Sequence, residues 1–165
     1  MAALEAGVTA PEFKLTGGNG EKVSLAESLK RGPVLAAFFK ISCPVCQYAF
    51  PYLERIFRAY SGGAVTVVGV SQNDKEKTAE FAREYGITFP LLLDDTSSYP
   101  VSNAYGLTNV PTLFLISPGG KIEVSSVGWS KREFEDLNAR VAKASGKPAA
   151  QIFKPGEDVP EFKAG

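Results

Sequence analysis

The sequence predicts one α/β domain in which helices flank a central mixed β-sheet. Residues 33–39 form an uninterrupted apolar run, which is typical of a strand buried on both faces, and the valine-rich residues 64–70 predict a second buried strand. Between them, residues 44–60 carry apolar side chains at helical spacing. A strand–helix–strand order within one sheet implies a right-handed parallel crossover. The length of 165 residues suits a single domain with its own hydrophobic core.

The N-terminal elements are predicted to be shorter. Residues 11–15 predict an extended segment, residues 17–20 a turn, and residues 23–29 a helical turn. Within the long helix, Pro51 removes one backbone hydrogen bond, so we expect a kink there.

The middle of the chain predicts another helix and a third strand. Asn73 and Glu76 have the spacing of a capping box, which predicts that a helix begins there. Residues 89–93 are a strand candidate, and residues 97–105 predict a short helix interrupted near Pro100.

The C-terminal part predicts a hairpin, a helix and a tail. Residues 112–116 are continuously apolar, and residues 121–127 alternate partly after a Pro-Gly-Gly turn, which favours an antiparallel hairpin. Ser130 and Glu133 have capping-box spacing at the start of the last helix. The predicted single domain covers residues 1–165, with a core of about residues 7–145 and an irregular tail of residues 146–165.

Composition excludes several classes of function. Lysine plus arginine equals aspartate plus glutamate at 18 each, so net charge gives no reason to expect nucleic acid or an anionic membrane as partner. The chain has no histidine and only two cysteines. It therefore cannot form a Cys–His dyad, a Ser–His–Asp triad or a tetrahedral zinc site of cysteine and histidine alone. Neither a metal nor an organic cofactor is expected.

The location of the chain is predicted from its first residues and its hydropathy. No apolar run is long enough to span a bilayer. Residues 1–14 lack the basic start and apolar stretch of a secretory signal, which favours a cytoplasmic location for the sequence as written. A chain already trimmed of its leader would be periplasmic or secreted.

The strongest functional signal is the motif Cys43-Pro44-Val45-Cys46, which follows a predicted buried strand and begins a predicted helix. Cys43 should lie at the helix N-terminus, where unpaired N–H groups and the helix dipole favour the thiolate, the nucleophilic form of cysteine. Cys46, one turn later, could resolve a mixed disulfide formed at Cys43. Half of a zinc site, or two small buried residues without chemistry, are weaker interpretations of the pair.

Several motifs together resemble the thioredoxin superfamily. They are similar to the branch that contains TlpA- and ResA-like reductases and the alkyl hydroperoxide reductase/thiol-specific antioxidant (AhpC/TSA) proteins. The resemblance covers residues 7–145 and implies a thioredoxin-like fold with an N-terminal extension and a central insertion. The segments that carry it are residues 7–15, 38–46 with Pro51, 88–91, 109–116 and 120–122.

The resemblance also implies a substrate site beside the dithiol. Pro111 would be the cis proline that faces the cysteines, and the backbone of Val110 would pair with a substrate strand. The further residues implied in substrate binding are Ser42, Pro44, Val45 and Thr112.

The sequence departs from thioredoxin near the motif. Ser42 replaces the tryptophan that usually precedes the first cysteine, and Ala37 replaces a buried acid. The proton acceptor for Cys46 is therefore open. Lys40, Asp94 and Asp95 are candidates, although each is also explained as an ordinary surface charge.

Three functions are compatible with these patterns. The first is thiol–disulfide exchange, with a protein or small-molecule disulfide as substrate and an external thiol as electron donor. The second is a peroxiredoxin-like peroxidase, but the residue three before Cys43 is Lys40 rather than threonine, and the loop at Val110-Pro111-Thr112 offers no arginine. The third is a binding module that keeps the fold without turnover.

Overall fold

The computed structural model describes residues 2–165 and contains nine strands. Seven of them form one sheet in the order β2-β1-β5-β4-β3-β6-β7, and β8 pairs with β9 in a separate ribbon. The strands are β1 Lys14–Gly17, β2 Lys22–Ser24, β3 Val34–Phe39, β4 Thr66–Ser71, β5 Leu91–Leu93, β6 Thr112–Ile116, β7 Ile122–Val127, β8 Trp129–Ser130 and β9 Phe162–Lys163.

Five helices accompany the sheet, and the whole is a thioredoxin-like α/β fold. They are α1 Leu25–Leu29, α2 Pro44–Ala59, α3 Lys75–Tyr85, α4 Pro100–Ala104 and α5 Lys131–Ala144. The sheet is mixed, as predicted, because β3, β4 and β5 run parallel while β6 lies antiparallel to β3. No helix within residues 2–165 combines the length and apolar character needed to cross a bilayer.

Strand β3 lies in the middle of the core, and all six of its residues are buried. Its side chains alternate between two apolar layers. Leu35, Ala37 and Phe39 pack with residues of α2, α3 and α5, whereas Phe38 and its neighbours on the other face pack with Tyr105 and the N-terminal segment. Burial on both faces fixes the strand's register and therefore the place where the chain leaves the sheet.

The structure corrects the predicted starts of two helices, α3 and α4. The cap of α3 is Asp74, whose side chain accepts the Lys77 N–H, so the capping box predicted at Asn73 is wrong. Helix α4 begins at Pro100 rather than being interrupted there, since proline is favoured in the first turn. Helix α2 continues through Pro51, and α5 is capped by Ser130 as predicted.

The tail of residues 146–165 packs back along α2 and α5. Ile152 is buried and Phe153 contacts the ring of Trp129. Arg55 makes two hydrogen bonds of 2.8 Å with the Glu157 carboxylate. Those bonds lower the pKa of Glu157 to about 2. The Trp129 indole N–H donates to the carbonyl of Pro160 at 2.8 Å, which brings the end of the tail alongside β8.

We predict that Phe39→Ala lowers the free energy of unfolding by about 3–5 kcal/mol, measured by urea denaturation. Phe39 is fully buried at the end of β3, and its ring lies 4.4 Å from the ring of Phe50. The matched control is Phe162→Ala, because Phe162 is 64% exposed. The control should change stability by less than about 0.5 kcal/mol, and equal losses in the two variants would contradict this packing.

Candidate active site

The two cysteines lie where β3 ends and α2 begins. The chain leaves the buried strand at Phe39, turns through Lys40–Ser42, and enters α2 at Pro44. Cys43 is the N-cap residue of α2, with extended backbone angles, and Pro44 occupies the first helical turn, where a missing N–H costs no hydrogen bond. Both cysteines are free thiols.

Cys43 is partly exposed and its sulfur has two polar contacts. Its Sγ accepts the backbone N–H of Cys46 at 3.2 Å. The same sulfur, as a thiol, donates to the carbonyl oxygen of Val110 at 3.4 Å. A helix N-terminus offers N–H groups that have no partner within the helix, and a cap side chain satisfies one of them. The cap here is a sulfur that other molecules can reach.

Cys46 lies one turn deeper and is fully buried. Burial raises the pKa of the Cys46 thiol, and its side-chain hydrogen bond with Cys43 raises it further. A backbone hydrogen bond from Lys40 acts in the opposite direction. Cys46 is therefore protonated at neutral pH, whereas Cys43 faces solvent.

The turn before Cys43 is held by two amide side chains. Asn73 accepts the backbone N–H of Ile41 at 2.9 Å, and Gln47 donates to the Ile41 carbonyl at 2.9 Å. The sequence patterns predict neither residue at the site. The spacing of Asn73 indicates a helix cap instead, and no sequence signal distinguishes Gln47 from other polar positions of a helix.

The loop before β6 approaches the cysteines from the other side. The Val110–Pro111 peptide bond is cis, as the resemblance implies. Pro111 and Thr112 are buried, and the Thr112 hydroxyl donates to the carbonyl of Asn109 at 2.8 Å. Thr112 therefore shapes this loop from inside. Val110 is partly exposed and contacts Cys43 directly through its carbonyl oxygen.

The remaining predicted contact residues surround the sulfur of the N-cap. Ser42 and Pro44 are exposed, and Val45 is partly exposed. None of these three residues carries a charge. Of the two cysteines, only Cys43 has a side chain that solvent reaches, because Cys46 is fully buried.

The structure places the three proton-acceptor candidates for Cys46 in different surroundings. Asp94 is buried and accepts hydrogen bonds from Ser102 and nearby backbone N–H groups. Asp95 is exposed and accepts from Ser97. No carboxylate among residues 2–165 hydrogen-bonds to the Cys46 sulfur. Only Lys40 lies beside the dithiol, through its backbone.

The end of the tail also reaches this loop. The side chain of Asn109 donates to the carbonyl of Gly165 at 3.1 Å. A Cβ added to Gly165 would lie 2.5 Å from the carbonyl oxygen of Val110, so the two backbones are in close contact. The residues that the tail contacts lie too far along the chain to be inferred from the sequence.

The sequence of the chain matches a family of known proteins. The profile of the AhpC/TSA family matches residues 6–125. The chain belongs to the AhpC/TSA family. Thiol-disulfide oxidoreductase ResA of Geobacillus thermodenitrificans is 31% identical over 132 residues, which cover 79% of this chain and 74% of that protein.

Solved structures show the same thioredoxin-like fold. The solution structure of a Bacteroides thetaiotaomicron protein proposed to be a protein disulfide isomerase has 25% identity and a TM-score of 0.80, covering 89% of this chain and 96% of that one. The thioredoxin domain of a Bacteroides vulgatus thiol-disulfide oxidoreductase has 26% identity and a TM-score of 0.74, covering 87% of this chain and 99% of that one. The predicted fold and the thiol–disulfide oxidoreductase class are confirmed.

We predict that iodoacetamide modifies Cys43 of the reduced protein at neutral pH at least about tenfold faster than Cys46, because thiolate fraction falls tenfold per unit of raised pKa. Burial acts in the same direction, since Cys46 is fully buried. Peptide mass spectrometry after short reaction times measures both rates. In urea the two rates should become similar, and faster modification of Cys46 in the folded protein would refute the assignment.

Proposed function

We propose that Cys43 is the nucleophile and Cys46 the resolving thiol of a disulfide-exchange cycle. The observation that carries this proposal is the pairing of a solvent-reachable Cys43 sulfur at a helix N-cap with a buried Cys46 one turn below it. The helix N–H that contacts Cys43 stabilises negative charge on that sulfur.

In the first step the Cys43 thiolate attacks one sulfur of a substrate disulfide. A bond forms between Cys43 and that sulfur, the substrate disulfide breaks, and the other substrate sulfur leaves as a thiolate.

In the second step Cys46 loses its proton and attacks the Cys43 sulfur of the mixed disulfide. The Cys43–Cys46 disulfide forms and the second substrate thiol is released. No carboxylate among residues 2–165 contacts the Cys46 sulfur, so the proton passes to water or to the thiolate released in the first step. An external thiol electron donor then reduces the internal disulfide, is itself oxidised to a disulfide, and resets the cycle.

Val110 is the proposed docking point for the substrate backbone. The loop's N–H at Val110 donates to no acceptor within residues 2–165, and its carbonyl faces Cys43. An extended peptide could therefore pair with this residue while its disulfide sulfur meets Cys43. Membership of the family implies disulfide substrates and thiol redox partners. We propose that the substrate is the disulfide of a protein or of a small molecule.

A peroxidase remains the second candidate, because the AhpC/TSA family match favours it. That reaction would need groups that polarise the peroxide beside the attacking sulfur. The position three residues before Cys43 holds Lys40, and Val110-Pro111-Thr112 contains no arginine. Exchange is therefore the better supported function of this site.

We predict that native protein accelerates reduction of insulin by dithiothreitol, and that Cys43→Ser returns the rate to background because the nucleophile is lost. Cys46→Ser should instead accumulate a mixed disulfide at Cys43, seen as a mass adduct that excess thiol removes. Both variants should keep native unfolding midpoints within a few degrees.

A parallel assay of hydrogen peroxide consumption separates the two enzymatic functions. Native protein should consume peroxide no faster than its unfolded chain does. Rapid, saturable peroxide turnover that survives in Cys46→Ser, without insulin reduction by the native protein, would overturn the proposed function.

A further inference from the structure

A cavity of about 150 Å³ lies beside the active site, next to the loop that contacts Cys43. It is lined by Lys40, Gln72, Leu107, Thr108, Asn109 and Val110. Two of these residues also touch the nucleophile. The carbonyl of Val110 accepts from Cys43 Sγ at 3.4 Å, and the carbonyl of Lys40 accepts from Cys43 N–H at 3.3 Å. A group bound in the cavity would therefore lie beside the Cys43 sulfur.

The cavity carries one charge, and it is positive. Lys40 is exposed and is the sole titratable residue in the lining. The salt bridges found within residues 2–165 involve other cations, so no carboxylate of the described chain neutralises Lys40. Gln72 in the lining donates to the Ser102 hydroxyl at 3.0 Å. That hydroxyl donates to Asp94 at 2.8 Å, so the Asp94 carboxylate is already hydrogen-bonded.

The loop side of the cavity adds hydrogen-bond donors. Within residues 2–165 the backbone N–H groups of Thr108, Asn109 and Val110 have no acceptor. Consecutive N–H groups without partners, close to a cation, are a typical environment for an anion. Two independent features of the lining, charge and free donors, therefore favour the same class of ligand.

We propose that this cavity is a subsite for a carboxylate of the disulfide substrate. It rests on the proposed function, because the carboxylate belongs to the molecule whose disulfide Cys43 attacks. Lys40 binds the carboxylate as a point charge. The N–H groups of Thr108 and Asn109 orient it, while the Val110 N–H pairs with the substrate backbone. Lys40 acts here as a specificity-determining residue: it favours acidic disulfides over neutral ones and neutral ones over cationic ones. This role differs from that of proton acceptor, for which the sequence makes Lys40 a candidate.

The test compares three small disulfides of similar length. They are dithiodipropionate, which is anionic, hydroxyethyl disulfide, which is neutral, and cystamine, which is cationic. Fully reduced protein is mixed with each disulfide, and the reaction is quenched by alkylation at a series of times. Mass spectrometry then follows formation of the Cys43–Cys46 disulfide. Because the disulfides differ in intrinsic reactivity, the quantity compared between variants is the ratio of the anionic to the cationic rate constant.

In Lys40→Gln this ratio should fall about 2- to 5-fold at low ionic strength, the size expected when one solvent-screened ion pair with a carboxylate is removed. Lys40→Arg should keep most of the ratio, since the charge is retained. The matched control is Lys30→Gln, which removes the same charge beyond the opposite end of β3. It should leave the ratio unchanged.

Four other outcomes would count against the proposal. A ratio that falls equally in Lys40→Gln and Lys30→Gln would show only a net-charge effect and would overturn the subsite. If Lys40→Gln slows the reaction of all three disulfides equally, Lys40 acts on the reactivity of the thiols rather than on the substrate. That result would also overturn the subsite. If native protein forms no internal disulfide with any of the three compounds, the proposed function itself fails. If native protein reacts normally but its rate ratio does not depend on Lys40, only the subsite fails.

Discussion

The hydrogen bond from the Cys46 N–H to the Cys43 sulfur, 3.2 Å long, is the interaction on which the site depends. It places the first sulfur at the positive end of a 16-residue helix and leaves it open to solvent. The same turn of helix puts the second sulfur into the core, where burial raises the pKa of Cys46. One helical turn thus gives two identical side chains opposite environments.

The rest of the fold holds that helix start in place. Strand β3 is buried on both faces, and its end at Phe39 packs among aromatic rings. Asn73 and Gln47 then fix both backbone groups of Ile41, so the turn leading to Cys43 has little freedom. From the far side, Val110 brings a carbonyl to the Cys43 sulfur. The reactive atom is therefore positioned by four separate segments of chain.

Much of this arrangement could be predicted from local patterns. The apolar run of β3, the amphipathic spacing of α2 and the Cys43–Cys46 motif are encoded over short stretches, and motif resemblance supplied the cis bond at Pro111. The rest depends on contacts between distant residues. Asn73 hydrogen-bonds to a residue 32 positions away, and the capping-box spacing wrongly indicates that it is the helix cap, because the cap is its neighbour Asp74. The cavity at Lys40 exists only because three loops meet, which no single stretch of sequence shows.

The central claim is that these two thiols interconvert with one internal disulfide. The most direct test is a redox titration. The protein is equilibrated in glutathione buffers of graded potential, its free thiols are trapped by alkylation, and the products are measured by mass spectrometry. We expect a single two-electron transition, about 30 mV for each tenfold change in ratio, with a midpoint between roughly −270 and −120 mV. A protein that retains two free thiols throughout, or that collects only stable glutathione adducts, would contradict it.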